Sequence, residues 1–136
     1  MNLLALLYRV TDALRHRRLA DTGRRGEDIA HRYLRRKGYI VVARNWRPPA
    51  GPGEIDIIAW HGATLVFVEV KARSSDESSA PERNIDPEKI RALQRAAGSW
   101  LRQCPAETAR FDVIAVTGER HLQHLPDAFA VTARFD

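Results

Sequence analysis

Apolar residues recur at helical spacing in two stretches of the chain and run at strand spacing in several others. Ile29, Ala30, Tyr33 and Leu34 mark the buried side of a helix over Arg24 to Lys37, with Arg24, Arg25, Arg32, Arg35 and Arg36 on the remainder. Gly38 ends it. A second helix opens at Asp86-Pro87-Glu88, an N-cap, a first-turn proline and an acid. Its stripe is Ile90, Leu93, Ala97, Trp100 and Leu101, and it ends near Pro105. Short β-branched and apolar runs predict strands at Tyr39–Trp46, Gly53–Ala59, Leu65–Arg73 and Ala109–Val116. His121–Leu125 reads as a last edge strand, and Ala128-Phe129 as closing the core. Pro48 to Gly53 forms a loop, and Trp60-His61-Gly62-Ala63 a hairpin turn. The apolar run after the second helix fits a strand parallel to the one before it. Leu65–Ala72, Asp86–Arg102 and Arg110–Val116 therefore form a β-α-β crossover.

The central hairpin carries charge where a core strand should not. Alternation places Leu65, Phe67, Glu69, Lys71 and Arg73 on one face, with Val66, Val68, Val70 and Ala72 on the other. In the preceding strand Glu54, Asp56 and Ile58 oppose Ile55, Ile57 and Ala59. Pairing brings Asp56 close to Glu69 and Lys71. Ionisable groups seldom interrupt such runs unless paired. An edge hairpin facing water, or a Glu–Lys ion pair, is one reading. The other is a site in which two carboxylates hold a hard divalent cation through oxygen, while an ammonium orients water or balances phosphoryl charge.

Two further residues stay open between bland and functional roles. Glu27 sits at the border of the first helix's buried stripe, either as an acid favoured by the helix dipole or as part of the site. Lys89 flanks the second stripe, either solvated or facing the hairpin. His121 and His124 form no strong metal pattern and read as surface histidines. Ser74 to Ile85 is polar and aperiodic, a mobile loop starting directly after the charged strand.

A length of 136 residues suits about one domain: a helix over 1–22, then a domain over 23–136 that contains the 74–85 loop. The net charge of +5 favours a polyanionic partner, diluted by 17 acids against 22 Lys and Arg. Arginines on such a helix are more often a solvated face than a binding surface, but their number here favours phosphate contact. Cys104 is alone, which excludes an intramolecular disulfide or a cysteine zinc cluster and suits a reducing cytoplasm. Leu3 to Tyr8 is too short to span a bilayer. It continues as an amphipathic helix with a basic end, expected to pack on the domain.

An acid on the first helix, an Asp on one strand and Glu-x-Lys on the next resemble the PD-(D/E)-x-K nuclease superfamily. More narrowly, Gly26–Ala30, Gly53–Ala59, Val66–Arg73 and Arg110–Val113 are similar to the bacterial YraN-like family of predicted endonucleases, distantly related to archaeal Holliday-junction resolvases. The resemblance covers Gly23 to Phe129. It implies an α/β, restriction-endonuclease-like three-layer α-β-α core around a mixed four- to five-stranded sheet, in the order α-β-β-β-α-β, plus the N-terminal helix. It also implies catalytic roles for Glu27, Asp56, Glu69 and Lys71, with Mg²⁺ or Mn²⁺ on Asp56, Glu69 and the Val70 backbone carbonyl. Ile55 stands where the superfamily motif has proline, which removes no ligand.

The expected function is metal-assisted hydrolysis of phosphodiester bonds in DNA. Arg24, Arg25, Arg32, Arg73 and Lys89 would contact phosphates, giving salt-dependent affinity. No recognition-helix or zinc-finger pattern is present, so selectivity for branched or junction DNA is expected rather than for a sequence. Symmetric junctions would call for a homodimer. The alternative is a non-catalytic nucleic-acid-binding module of the same fold that acts with a partner protein.

Overall fold

The computed structural model describes residues 22–73, 86–118 and 121–131. The helix expected over 1–22 and the loop expected over 74–85 lie outside the described residues, Thr22 apart. Helix α1 (Thr22–Arg36) leads to the strands β1 (Ile40–Trp46), β2 (Ile55–His61) and β3 (Thr64–Arg73). Helix α2 (Pro87–Gln103) then crosses to β4 (Thr108–Thr117), and β5 (His121–Phe129) follows. The five strands lie side by side in chain order. Only β3 and β4 run parallel; the other neighbours are antiparallel. The β3-α2-β4 crossover is the expected one.

The helices cover opposite faces of this sheet, giving a three-layer α/β fold. On one face Ala30 and Leu34 of α1 are fully buried among Tyr39, Val41, Ile57, Val66 and Val68. On the other, Leu93, Ala96, Ala97 and Trp100 of α2 pack with Ile58, Leu65, Phe67 and Phe111. Strand alternation produces this division: Leu65 and Phe67 face α2, Val66 and Val68 face α1. Each fully buried large side chain contributes about 1.5–3 kcal/mol of hydrophobic stabilisation. Asp86 caps α2, its Oδ1 accepting the Lys89 backbone N–H at 2.9 Å, with Pro87 beginning the helix.

Three expectations need correction. Trp60 and His61 belong to β2, not to the turn, because His61 pairs with Thr64 and only Gly62-Ala63 connect the strands. Gly62 has φ +60°, as a two-residue hairpin with glycine at its first central position requires. Ile55 does not share the face of Ile57: it packs on the α2 side, opposite Trp46, while Ile57 packs on the α1 side, opposite Arg44. Side-chain alternation thus breaks at Asp56, with Asn45 (φ +48°) beside it in β1. The last strand also runs past Leu125 to Phe129, whose ring stacks on Phe111 at 4.5 Å. Pro126 is tolerated because β5 is an edge.

Candidate active site

Asp56 lies where the β2–β3 ladder stops. The last regular pair there is Ile57 with Val68. One residue further, the Asp56 side chain replaces backbone pairing: the Val70 N–H donates to its Oδ2 at 2.8 Å. Glu69, next along β3, is almost completely buried at 3 % exposure. One step beyond the Ile57–Val68 pair, it stands across from Asp56. Burial, then the Glu69 charge, pushes the Asp56 carboxyl well above the usual carboxylate range; the Val70 N–H opposes this, and Glu27 adds to it.

A cation balances the pair from the α2 side. Lys89 Nζ meets Glu69 Oε1 at 2.5 Å, though the lysine side chain remains 44 % exposed. Burial alone would lower the Lys89 ammonium, but the Glu69 hydrogen bond and charge, with Asp56, raise it overall. Of the two roles open for Lys89, the structure has it face the hairpin. Beside it a cleft of about 440 Å³, lined by Pro52, Asp86, Arg91 and Arg95, opens to solvent.

Glu27 arrives from the α1 side. Its Oε2 accepts from Asn45 Nδ2 at 2.9 Å and from Arg44 Nη2 at 3.2 Å. Arg44 also donates to Asp28 Oδ1 at 2.8 Å and lies 3.4 Å from His31 Nδ1. Neither Arg44 nor Asn45 is evident as a site residue from the sequence. The available signal was a polar Arg-Asn pair ending an otherwise apolar strand.

Lys71 follows Glu69 by two residues on β3 and is half-buried. Arg73 is buried, and Arg24 half-buried. Arg25 and Arg32 stand exposed on the outer face of α1. Arg25 and Arg73 border a second, smaller hollow of about 140 Å³ with Gly26 and Ala72. The structure therefore gathers Glu27, Asp56, Glu69 and Lys89 at one end of the sheet, while Arg25 and Arg32 occupy the helix surface. Among the described residues, no three His, Cys, Asp or Glu side chains form a closed metal cluster. The Asp56–Glu69 pair does fit the way Mg²⁺ is usually held, by one or two carboxylates with several waters retained.

A second polar centre lies elsewhere on the α1 side of the sheet. Asp112 is fully buried, and it accepts from Arg110 Nε at 2.9 Å and the Asp127 N–H at 3.0 Å. His124 Nε2 contacts its other oxygen at 2.7 Å, and Tyr33 OH meets His124 Nδ1 at 3.0 Å. Burial would raise the Asp112 carboxyl, but these hydrogen bonds hold it below its usual value. His124 is thus half-buried and bonded, not a surface histidine, because the Asp112 carboxylate beneath it needs a donor.

Residues 26–116 match the model of the uncharacterised protein family UPF0102. The chain belongs to this family. A UPF0102 protein of Solibacter usitatus is 49 % identical over 117 residues, covering 84 % of this chain and 89 % of that protein. Another, from Koribacter versatilis, is 45 % identical over 100 residues, or 73 % of this chain and 70 % of its own length. A third, from Mycolicibacterium vanbaalenii, is 43 % identical over 99 residues, 71 % and 80 % of the two chains. UPF0102 is the YraN-like family whose motifs the sequence resembles. Its matched span contains Glu27, Arg44, Asp56, Glu69, Lys71 and Lys89. No helix among the described residues of this UPF0102 member is long and apolar enough to cross a membrane.

Proposed function

We propose that the protein is a metal-dependent endonuclease that hydrolyses phosphodiester bonds in DNA, selecting branched or junction structure over sequence. The observation that carries this reading is half-buried Asp56 facing buried Glu69 across β2 and β3. Two carboxyls facing each other at the end of a core hairpin are costly to ionise together without more positive charge than Lys89 supplies.

Asp56 and Glu69 would hold Mg²⁺ or Mn²⁺, with the Val70 carbonyl as a further oxygen donor. The ion, when bound, supplies Lewis acidity and a water acidic enough to act as a nucleophile near neutral pH. Lys71 lies on the same β3 face as Glu69, where its ammonium orients the attacking water and balances charge on the phosphoryl oxygens. Lys89 compensates Glu69 and contacts substrate phosphate from the adjoining cleft. Arg24, Arg25, Arg32 and Arg73 hold neighbouring phosphates as point contacts that position the duplex without reading bases. A homodimer would present two such sites to a symmetric junction.

The test is cleavage of duplex, single-stranded, flap and four-way-junction DNA with Mg²⁺ or Mn²⁺. Wild type is compared with Asp56→Asn and Lys71→Ala. Wild type should cut branched DNA; Asp56→Asn should be inactive, and Lys71→Ala slower by about 100-fold or more. Equal cutting by all three preparations would identify a contaminant. Salt-sensitive binding without cutting, unaffected by either substitution, would replace this reading with that of a non-catalytic nucleic-acid-binding module.

A further inference from the structure

Glu27 is held by two side chains that β1 aims at it. A bulge between Val41 and Ala43 shifts the β1 register. Val42 and Ala43 consequently both pack on the α2 side, and Arg44, opposite Ile57, turns to the α1 side. The next residue, Asn45, takes φ +48°, a conformation unusual outside glycine. That turn sends Trp46 back to the α2 face, where its ring meets Trp100 edge-on at 5.3 Å. Two irregularities in four residues thus place two donors on a single oxygen, Glu27 Oε2.

The arrangement is expensive as mere cement between α1 and β1. Arg44 is only 7 % exposed, and its guanidinium spans Glu27 and Asp28, whose side chains are 15 % and 19 % exposed. Burying such charges costs several kcal/mol of desolvation per ion, and an αL residue other than glycine adds about 1–3 kcal/mol. A leucine and a small residue would join the layers more simply. Asn45, which holds Glu27, nevertheless stands across β1–β2 from Asp56, between the Arg44–Ile57 and Trp46–Ile55 pairs. Arg44 compensates Glu27 from the α1 side of the sheet, and Lys89 compensates Glu69 from the α2 side.

We infer that Arg44 and Asn45 are positioning residues that fix Glu27 as an outer carboxylate facing the Asp56–Glu69 pair, where it strengthens divalent-cation binding. This rests on the nuclease reading only in taking Asp56 and Glu69 as the cation's ligands. With a cation held by Asp56 and Glu69, the Glu27 carboxylate would supply further negative charge beside it. Arg44 and Asn45 prevent the carboxylate from swinging away.

Asn45→Gly provides the decisive variant. Glycine takes the same φ without strain, so it deletes the amide and leaves the fold. Arg44→Met removes the guanidinium while keeping most of the volume, and Arg44→Lys keeps the charge. Mn²⁺ affinity, measured by titration calorimetry on the full chain without nucleic acid, is the readout, with Tm recorded beside it. Loss of a side chain that orients a metal site weakens binding about 10- to 100-fold. Asn45→Gly and Arg44→Met should fall in or just below that range, and Arg44→Lys should recover part of the loss. Combining Arg44→Met with Glu27→Gln should weaken binding no further than Glu27→Gln alone. Wild-type affinity in Asn45→Gly and Arg44→Met, with only Tm lowered, would overturn the inference; so would losses that add. If Asp56→Asn abolishes binding while those two variants bind normally, the metal site stands and the positioning role falls. If wild type and Asp56→Asn bind Mn²⁺ equally, the metal reading and the inference fall together.

Discussion

Asp56 is stabilised by its proton, and the protein would gain by losing the charge. Its carboxyl is raised by burial and by Glu69. The associated stability is complete below the ordinary value of 3.8 and is lost as pH rises towards the higher folded value. In metal-free protein at neutral pH, Asp56→Asn should therefore raise Tm by about 2–4 °C while abolishing Mn²⁺ binding. A fall in Tm would contradict the strained-pair description. Asp112 has the opposite sign. Its folded value is lowered, so its contribution is present above 3.8 and lost as pH falls through the lower folded value. Urea unfolding should show stability dropping more steeply below about pH 4 in wild type than in Asp112→Asn, although the variant is weaker throughout because Arg110 and His124 lose their partner. That Asp56 and Glu69 face each other was legible in the sequence because each interrupts an apolar run. Arg44 and His124 were not. Their meaning lies in partners up to 17 positions away, at Glu27 and Asp112, which only the tertiary fold brings near.

At the level of elements, the loop before β2 is fitted to α2 with no room to spare. A Cβ on Gly53 would stand 2.7 Å from the Ala92 carbonyl oxygen, and Gly53 has φ +109°. Gly53→Ala should cost about 2 kcal/mol or more, read from urea midpoints. It should also weaken Mn²⁺ binding, because α2 carries Lys89 to Glu69. An unchanged midpoint would mean that the loop yields easily. Helices and strands were legible here because period and caps agree: the 3.6-residue stripes, Asp86-Pro87 and the β-branched runs all point the same way. The breaks in alternation at Val42 and at Ile55 were not, since a bulge leaves the apolar composition of a strand unchanged. The hairpin turn was drawn too long for a related reason. His61 is polar, yet it stacks on Tyr39 at 4.1 Å and stays in the ladder.

Across the whole molecule, positive charge is set on both sides of the carboxylates, with Arg25 and Arg32 on the outer face of α1 and Lys89, Arg91 and Arg95 along α2. DNA affinity should fall linearly with the logarithm of salt concentration. Removing Arg25 and Arg32 together should reduce the slope by about 2 if each contacts one phosphate. An unchanged slope would place the duplex on α2 alone. The order of the layers was legible from the sequence of elements; which layer faces the substrate was not, because exposed arginines look alike in a linear chain. The strand order has a further consequence, for how the molecule comes into being. Every strand lies beside its neighbour in sequence, so α1 and the β1-β2-β3 meander need only short loop closures, and the single distant pairing is β3 with β4. On a ribosome the meander would emerge first, presenting Asp56 and Glu69 before Lys89 has left the exit tunnel. For that interval Glu69 lacks the ammonium that α2 later brings to it, and the end of the hairpin carries its acids uncompensated from that side.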